Sequence, residues 1–228
     1  MEEKQIHDDL ASIRSLMERS SKFISLSGLS GILAGIYALV GAALAYYFVY
    51  YDIPDELNPY KHFPNEFNSL KSDTPRIVTG LFYGGDRWAQ TAALLIIASL
   101  VLIASLCTGI FLSIRKANRK GQPIWSNTSR LLLFNMAIPL MSGGALVLVH
   151  LFRGHYGLIA PSCLVFYGLS LVAASNFTFT DVKYLGLSEI FIGLIAACLP
   201  GYGLLFWAIG FGVLHIVYGS MMYFKYDR

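Results

Sequence analysis

Two ionisable side chains lie well inside the long apolar segments of this sequence. Glu189 falls in the segment Leu185–Pro200, and His215 falls in the segment Gly203–Phe224. Ionisable groups at membrane depth are costly to bury, and they mark functional sites by default. A carboxyl group and an imidazole are also the side chains that most often accept and release protons in proteins. We therefore take Glu189 and His215 as the first candidate site.

A predicted turn between the two segments brings these residues to a similar depth. The sequence Pro-Gly-Tyr-Gly at residues 200–203 is typical of a tight connection between antiparallel helices. Glu189 lies 11 residues before Pro200, and His215 lies 12 residues after Gly203, so the two are expected to form a pair. Asn135, in the third apolar segment, has a comparable depth and completes the candidate site. Three interpretations stay open: a buried polar cluster that fixes helix register, a site that handles a proton or a ligand, and a catalytic site.

The elements that must position this site are membrane-spanning helices. The chain of 228 residues is 55% hydrophobic and only 14% charged, whereas a soluble domain carries about 25% charged residues. A spanning helix needs about 20 apolar residues. The sequence therefore predicts an all-α bundle of six transmembrane helices, over Phe23–Tyr50, Thr91–Ile114, Leu131–Leu151, Leu158–Phe177, Leu185–Pro200 and Gly203–Phe224. The fifth segment is short and is expected to begin a few residues earlier.

The distribution of positive charge predicts the orientation of the bundle. If both termini are cytoplasmic, twelve of the 17 Lys and Arg residues fall on the inner side, as the positive-inside rule requires. The densest cluster, residues 115–120, directly follows the second span. We expect a multi-pass protein of the cell inner membrane, with a short cytoplasmic tail at residues 225–228.

Two segments outside the predicted spans carry patterns of their own. Residues 1–22 form a predicted amphipathic cytoplasmic helix before the transmembrane domain, residues 23–224. Its mixed charge favours packing on protein, either its own bundle, a second copy or a partner, over binding to lipid. Residues 51–90 are rich in proline and aromatic residues and predict a partly ordered outer cap. The apolar face of the N-terminal helix is formed by Ile6, Leu10, Ile13 and Met17.

Small residues recur at helical spacing in several of the spans. Glycines seven residues apart predict close helix packing, which disfavours a wide aqueous pore. Residues 27–38 (SGLSGILAGIYA) and 185–196 (LGLSEIFIGLIA) also match at six of twelve positions. This similarity favours a parallel repeat, although apolar sequences also match by chance. The spaced pairs are Gly28 and Gly35, Gly186 and Gly193, Gly203 and Gly210, and Gly212 and Gly219.

Several function classes find no support in the sequence. The net charge of +3 is too small and dispersed for a nucleic-acid partner. The sequence shows no nucleotide-binding loop, no metal-ligand spacing and no recognisable catalytic motif. We therefore predict no cofactor, no metal and no catalytic residue, and an enzyme is the least favoured function.

Two stretches resemble a family of uncharacterised integral membrane proteins from Bacteroidetes-type bacteria. They are residues 14–39 (RSLMERSSKFISLSGLSGILAGIYAL) and residues 201–219 (GYGLLFWAIGFGVLHIVYG). The resemblance implies a bacterial inner membrane and brings no activity with it. The first functional hypothesis is a non-catalytic sensing or scaffolding component that contacts its partner through the N-terminal helix. The alternative is a small proton-coupled or polar-solute transporter that uses Glu189 and His215.

Overall fold

The part of the chain that the structure describes folds into six helices. The computed structural model describes residues 27–50, 85–119, 121 and 124–227, and all regular structure in these ranges is helical. The predicted all-α fold is thereby confirmed. Residues 1–22 lie outside the described residues, as does the predicted outer cap up to residue 84, whereas residues 85–90 belong to the second helix. The helices are α1 (Gly28–Tyr50), α2 (Gly85–Arg119), α3 (Asn127–Phe152), α4 (Ile159–Ser175), α5 (Asp181–Cys198) and α6 (Gly203–Asp227).

Five of these six helices are long and apolar enough to cross a membrane, namely all except α5. The exception has 18 residues and carries three charged side chains, Asp181, Lys183 and Glu189. The helix begins four residues before Leu185, the first residue of the predicted span. The predicted fifth span is short because it leaves out this charged first turn. The chain is therefore a membrane protein built as a helical bundle.

Local sequence explains where two of the helices begin. Ser126 caps α3, because its hydroxyl accepts a hydrogen bond from the Ser129 amide at 3.1 Å while the Ser129 hydroxyl accepts one from the Ser126 amide at 2.8 Å. This reciprocal pair satisfies two amides that the first turn would otherwise leave open. The predicted turn between α5 and α6 is present. Gly201 has φ +95°, a conformation that glycine adopts without the steric cost of a side chain.

The packing order places α6 at the centre of the bundle. It contacts α1 on one side and both α4 and α5 on the other, while α2 packs on α1 and α3 packs on α4. The outward faces of α2 and α3 expose large apolar side chains along their length, as lipid-facing helices do. None of the residues in the most apolar 18-residue stretch of α2 is buried. The inner elements α1, α4, α5 and α6 therefore hold the interior of the protein.

Glycine lines the two closest helix contacts. A Cβ atom on Gly219 of α6 would lie 2.6 Å from the Ile32 amide nitrogen of α1, and one on Gly168 of α4 would lie 2.5 Å from the carbonyl oxygen of Gly186 in α5. Real side chains do not fit at such distances from backbone. The predicted close packing at the glycine stripes is confirmed, because these stripes form the α1–α6 and α4–α5 contacts.

The two glycine contacts are equivalent in their details. Gly219 faces Gly28 and Ile32, and Gly168 faces Gly186 and Ile190. In the matching twelve-residue segments, Gly28 aligns with Gly186 and Ile32 aligns with Ile190. The segments that match in sequence thus contact their neighbours in the same way. Each of the facing glycines also follows a tyrosine, Tyr218 in α6 and Tyr167 in α4.

Candidate intramembrane polar site

Three polar side chains meet at the middle of three helices. Glu189 is the ninth of the 18 residues of α5, Tyr167 is the ninth of the 17 residues of α4, and His215 is the thirteenth of the 25 residues of α6. Each residue is therefore about as far from one end of its helix as from the other. We call these three residues the midpoint cluster. The midpoint cluster therefore lies near the middle of all three helices.

The carboxyl group of Glu189 is completely enclosed. Its side chain is 0% exposed, and neither carboxyl oxygen has a hydrogen-bond partner among the described residues. The His215 Nδ1 atom lies 3.4 Å from the Glu189 Oε1 atom. This distance is short enough for an ion pair but too long for a good hydrogen bond. A carboxylate enclosed in this way without donors is unfavourable by several kcal/mol. The surroundings therefore suit a carboxyl group that gains and loses a proton or a ligand.

The His215 ring makes two hydrogen bonds that fix its tautomer. The Nδ1 atom lies 3.1 Å from the carbonyl oxygen of Gly210, and the Nε2 atom lies 2.8 Å from the Tyr167 hydroxyl. A carbonyl oxygen only accepts, so Nδ1 carries the proton and donates it. In the neutral ring, Nε2 then accepts the hydrogen bond from Tyr167. The Nδ1 proton points at Gly210 while Glu189 lies beside it.

The backbone beside the cluster is π-helical. Residues Ala208–Leu214, which directly precede His215, form a π-helix within α6. Such segments are rare and frequently occur at functional sites. Phe211 in this segment lies 5.0 Å from the Tyr167 ring centre, and Trp207 lies 5.3 Å from the Phe211 ring centre. The aromatic rings form an apolar wall on one side of the cluster.

Gly210 provides the space for the carboxyl group. A Cβ atom at this position would lie 2.5 Å from the Oε2 atom of Glu189 and would also overlap the Leu164 side chain. The same residue supplies the carbonyl oxygen that accepts from His215. Gly210 therefore has two roles in the cluster, and both follow from the absence of a side chain.

The structure brings together two of the three residues that the sequence placed in the site. Glu189 and His215 form the predicted pair. Asn135 does not join them. Its side-chain amide donates to the carbonyl oxygen of Leu131 at 2.8 Å within its own helix, and α3 packs on α4 rather than on α5 or α6. Asn135 was grouped with the pair on depth alone, and depth does not determine which helices are neighbours.

The site also differs from the sequence prediction in its depth and its membership. The predicted segments begin at Leu185 and end at Phe224, but α5 begins at Asp181 and α6 extends to Asp227. Both residues are therefore deeper than predicted. Tyr167 was missed because an aromatic residue within an apolar span gives no polar signal. The repeated dipeptide Tyr-Gly at residues 167–168 and 218–219 was the pattern that could have drawn attention to it.

Two further carboxylates lie at helix ends and are fully engaged. Asp227 at the end of α6 forms an ion pair with Lys116 of α2 and accepts hydrogen bonds from the Gly28 amide at 2.8 Å and the Ser27 hydroxyl at 3.1 Å. It thereby joins α6 to both α1 and α2. We call this group the Asp227 junction.

Asp181, at the start of α5, holds the last turn of α6. It accepts hydrogen bonds from the Tyr226 hydroxyl at 2.7 Å and from the Lys225 ammonium group at 3.0 Å. Burial alone would raise the pKa of the Asp181 carboxyl, but the hydrogen bonds from Tyr226 and Lys225 outweigh it and hold the pKa below its usual value. Asp181 is therefore ionised at neutral pH.

Within the described ranges, no group of three or more His, Cys, Asp or Glu side chains is arranged to hold a metal ion. Comparison of the chain with family models, with curated proteins and with solved structures finds no match.

Proposed function

We propose that this protein is a non-catalytic membrane component whose conformation depends on the protonation of the midpoint cluster. The observation that carries the proposal is the Glu189 carboxyl group, enclosed at the centre of its helix without a hydrogen-bond partner in the described part of the chain. A residue that served only to fix helix register would be expected to have its hydrogen bonds satisfied. An unsatisfied carboxyl group beside an imidazole instead suits a group that changes state.

The hydrogen bond from His215 supplies the means of response. In the described conformation its Nδ1 proton goes to the Gly210 carbonyl oxygen, with the Glu189 carboxyl oxygen 3.4 Å away. A hydrogen bond to an ionised acceptor is about twice as strong as one between neutral groups. Loss of the Glu189 proton therefore draws the Nδ1 proton from Gly210 toward Oε1. The π-helical segment then loses one of its hydrogen bonds, and α6 adjusts.

The adjustment reaches the end of the bundle through α6. This helix carries His215 at its centre, contacts α1 through Gly219, and ends in the Asp227 junction. A small rotation of α6 at its centre would therefore change the contacts of α1 and α2. The predicted amphipathic helix at residues 1–22 comes before α1 in the sequence, and we infer that it reports the change to a protein partner.

We place the protein in the inner membrane of a bacterium, with both termini in the cytoplasm. Twelve of the 17 Lys and Arg residues lie on the inner side in this orientation, and the six spans that the sequence predicts would return the chain to the side on which it begins. The resemblance of residues 14–39 and 201–219 to bacterial integral membrane proteins supports the same location. A reporter fused after Arg228 should be active only on the cytoplasmic side.

Trp207 provides a direct test of the response. Its ring packs at an angle of 45° against Phe211, which in turn contacts Tyr167 and His215. In a variant with Trp88→Phe and Trp125→Phe, Trp207 is the only tryptophan. We expect its fluorescence in liposomes to change with pH. Adding Glu189→Gln should abolish the change, whereas Asp181→Asn, which removes another carboxyl group of the same helix, should leave it intact. Equal responses with and without Glu189 would overturn the proposal.

The transport alternative is tested in the same liposomes. A pH-sensitive dye inside the vesicles reports proton movement when a pH difference is applied. The proposed sensing function predicts the same slow leak for the wild-type protein and for Glu189→Gln, because the glycine contacts close the bundle around the cluster. A proton flux that requires Glu189 would instead favour a transporter.

A further inference from the structure

A cavity of about 340 Å³ lies at the end of the bundle where α1 begins and where α2 and α6 end. The last turns of α2 contribute Arg115, Lys116 and Arg119 to its lining, and α6 contributes Tyr223 and Asp227. With a rise of 1.5 Å per residue, the 35 residues of α2 extend about 50 Å, well beyond a hydrocarbon core of about 30 Å. Because the basic residues lie in the last turns of this long helix, we expect the cavity at the level of the lipid headgroups.

The charges around the cavity are only partly neutralised. Lys116 is paired with Asp227, and Asp227 is engaged further by the Gly28 amide. Arg115 and Arg119 are one turn apart on α2, and neither has an ion pair or hydrogen bond with the described residues. Among the described residues of the lining there are thus three cations and one anion, an excess of two positive charges, and the guanidinium groups of Arg115 and Arg119 are adjacent.

This arrangement has the chemistry of a phosphate site. The planar guanidinium group donates two parallel hydrogen bonds to a phosphate, which gives both affinity and orientation. Tyr223 adds a hydroxyl group to the same lining. Basic pockets between transmembrane helices bind anionic headgroups. If the basic residues of α2 served only to set the orientation of the protein in the membrane, a cavity between three helices would not be expected beside them.

We propose that this cavity binds a phosphate group, held principally by Arg115 and Arg119. The group belongs either to an anionic lipid headgroup or to a soluble phosphate compound, which share the same recognition chemistry. Binding would connect the ends of α1, α2 and α6 beside the Asp227 junction. No residue of the midpoint cluster lines this cavity, and the test of the site does not depend on any response to pH.

The lipid source is tested with the full chain in nanodiscs of phosphatidylcholine containing a small fraction of phosphatidylglycerol. Native mass spectrometry then measures which lipid the protein retains. We expect the wild-type protein to retain phosphatidylglycerol selectively. The double variant Arg115→Gln and Arg119→Gln should bind it roughly 30-fold more weakly, since each basic residue contributes about a factor of five.

The matched control removes the same amount of charge elsewhere. Arg130→Gln with Lys183→Gln neutralises two exposed basic residues on the same predicted side but leaves the cavity unchanged, so selectivity should be retained. A second variant, Arg115→Lys with Arg119→Lys, keeps the charge and removes the guanidinium geometry, and we expect an intermediate loss. It also provides a readout if the glutamine variant does not fold.

The soluble source is tested in nanodiscs of phosphatidylcholine alone. Inorganic phosphate or glycerol phosphate is added, and the thermal unfolding of the protein is followed, because a ligand that binds the folded state raises the unfolding temperature. Stabilisation that needs Arg115 and Arg119 identifies a soluble ligand, and selective retention in the lipid experiment identifies a headgroup. The proposal is overturned if the wild-type protein binds in neither experiment. It is also overturned if the control variant, Arg130→Gln with Lys183→Gln, loses as much binding as Arg115→Gln with Arg119→Gln.

Discussion

The acidic groups of this protein occupy two kinds of surroundings that treat charge in opposite ways. At the helix ends, Asp227 and Asp181 each accept several hydrogen bonds and pair with a lysine. At the helix centres, Glu189 is fully enclosed and has no hydrogen-bond partner among the residues described. The end groups therefore stabilise the fold as ionised carboxylates. The central group contributes no comparable interaction.

This contrast separates the residues that hold the bundle from the residue that is available for function. Charged hydrogen bonds contribute about 1.5–3 kcal/mol each when they are formed, so helix ends that use them resist separation. A charged carboxylate at the centre of a membrane is unfavourable by about 3 kcal/mol or more. Because the fold retains Glu189 without compensating contacts, we interpret its presence as functional. Four predictions test this distinction, from the largest expected effect to the smallest.

Removal of the end carboxylate should have the largest effect. Asp227→Ala deprives Lys116 of its ion pair and leaves the Gly28 amide without its acceptor, so we expect a loss of about 2–3 kcal/mol of stability. Thermal unfolding in a mild detergent measures the loss. Adding Lys116→Met should restore part of it, because the ammonium group that has lost its ion pair with Asp227 is then also removed. Wild-type stability in Asp227→Ala would show that the Asp227 junction does not hold the bundle.

A side chain at Gly210 should disturb the midpoint cluster by a smaller amount. Gly210→Ala places a methyl group 2.5 Å from the Glu189 carboxyl oxygen, which we expect to decrease stability by about 1–2 kcal/mol. Gly144→Ala is the control, since a Cβ atom there has no neighbour within 4 Å. If the two variants unfold at the same temperature, the carboxyl group does not lie against Gly210.

Neutralisation of the central carboxyl group should hardly affect stability. Glu189→Gln keeps the shape of the side chain and removes no hydrogen bond found in the described residues, so we expect a change of less than about 1 kcal/mol. The same substitution should abolish the pH-dependent change in Trp207 fluorescence. A loss of stability as large as that of Asp227→Ala would place Glu189 among the residues that hold the fold.

The pH dependence of stability should depend slightly on Asp181. Its pKa in the folded protein lies below its usual value of 3.8, so the folded state favours the ionised form. The stabilisation is complete above that value and is lost as the pH falls through the lower pKa of the folded state. Lys225 is largely exposed, and an asparagine side-chain oxygen can still accept the hydrogen bond from Tyr226, so Asp181→Asn should cost only a few tenths of a kcal/mol at neutral pH. Unfolding curves that vary more with acid in Asp181→Asn than in the wild-type protein would contradict this assignment.

The sequence was sufficient for the helices and for the central pair. Apolar length determines the spans, and the turn at residues 200–203 relates the depth of Glu189 to that of His215. Glycine spacing identifies the close contacts, since only small residues allow backbones to approach.

The remaining features depend on the rotation and neighbours of each helix. In α4 the residues facing lipid and those facing protein are both apolar, so the sequence does not show that Tyr167 points inward. Asn135 has the expected depth but lies on a helix that packs elsewhere. The charged residues Asp181 and Lys183 interrupt the apolar pattern, so the sequence predicts a start of α5 at Leu185 instead of Asp181. Glu189 is consequently predicted too near the end of its helix.

The most direct test of the proposed function is the protonation of Glu189 itself. Infrared spectra of the protein in liposomes, prepared with and without isotope-labelled glutamate, isolate the carboxyl absorption of this residue by comparison with Glu189→Gln. We predict an absorption of the protonated carboxyl group that disappears reversibly as the pH is raised and that shifts in Tyr167→Phe, because His215 then loses its second hydrogen bond. A Glu189 absorption that stays unchanged over the full range in which the protein is folded would contradict the account.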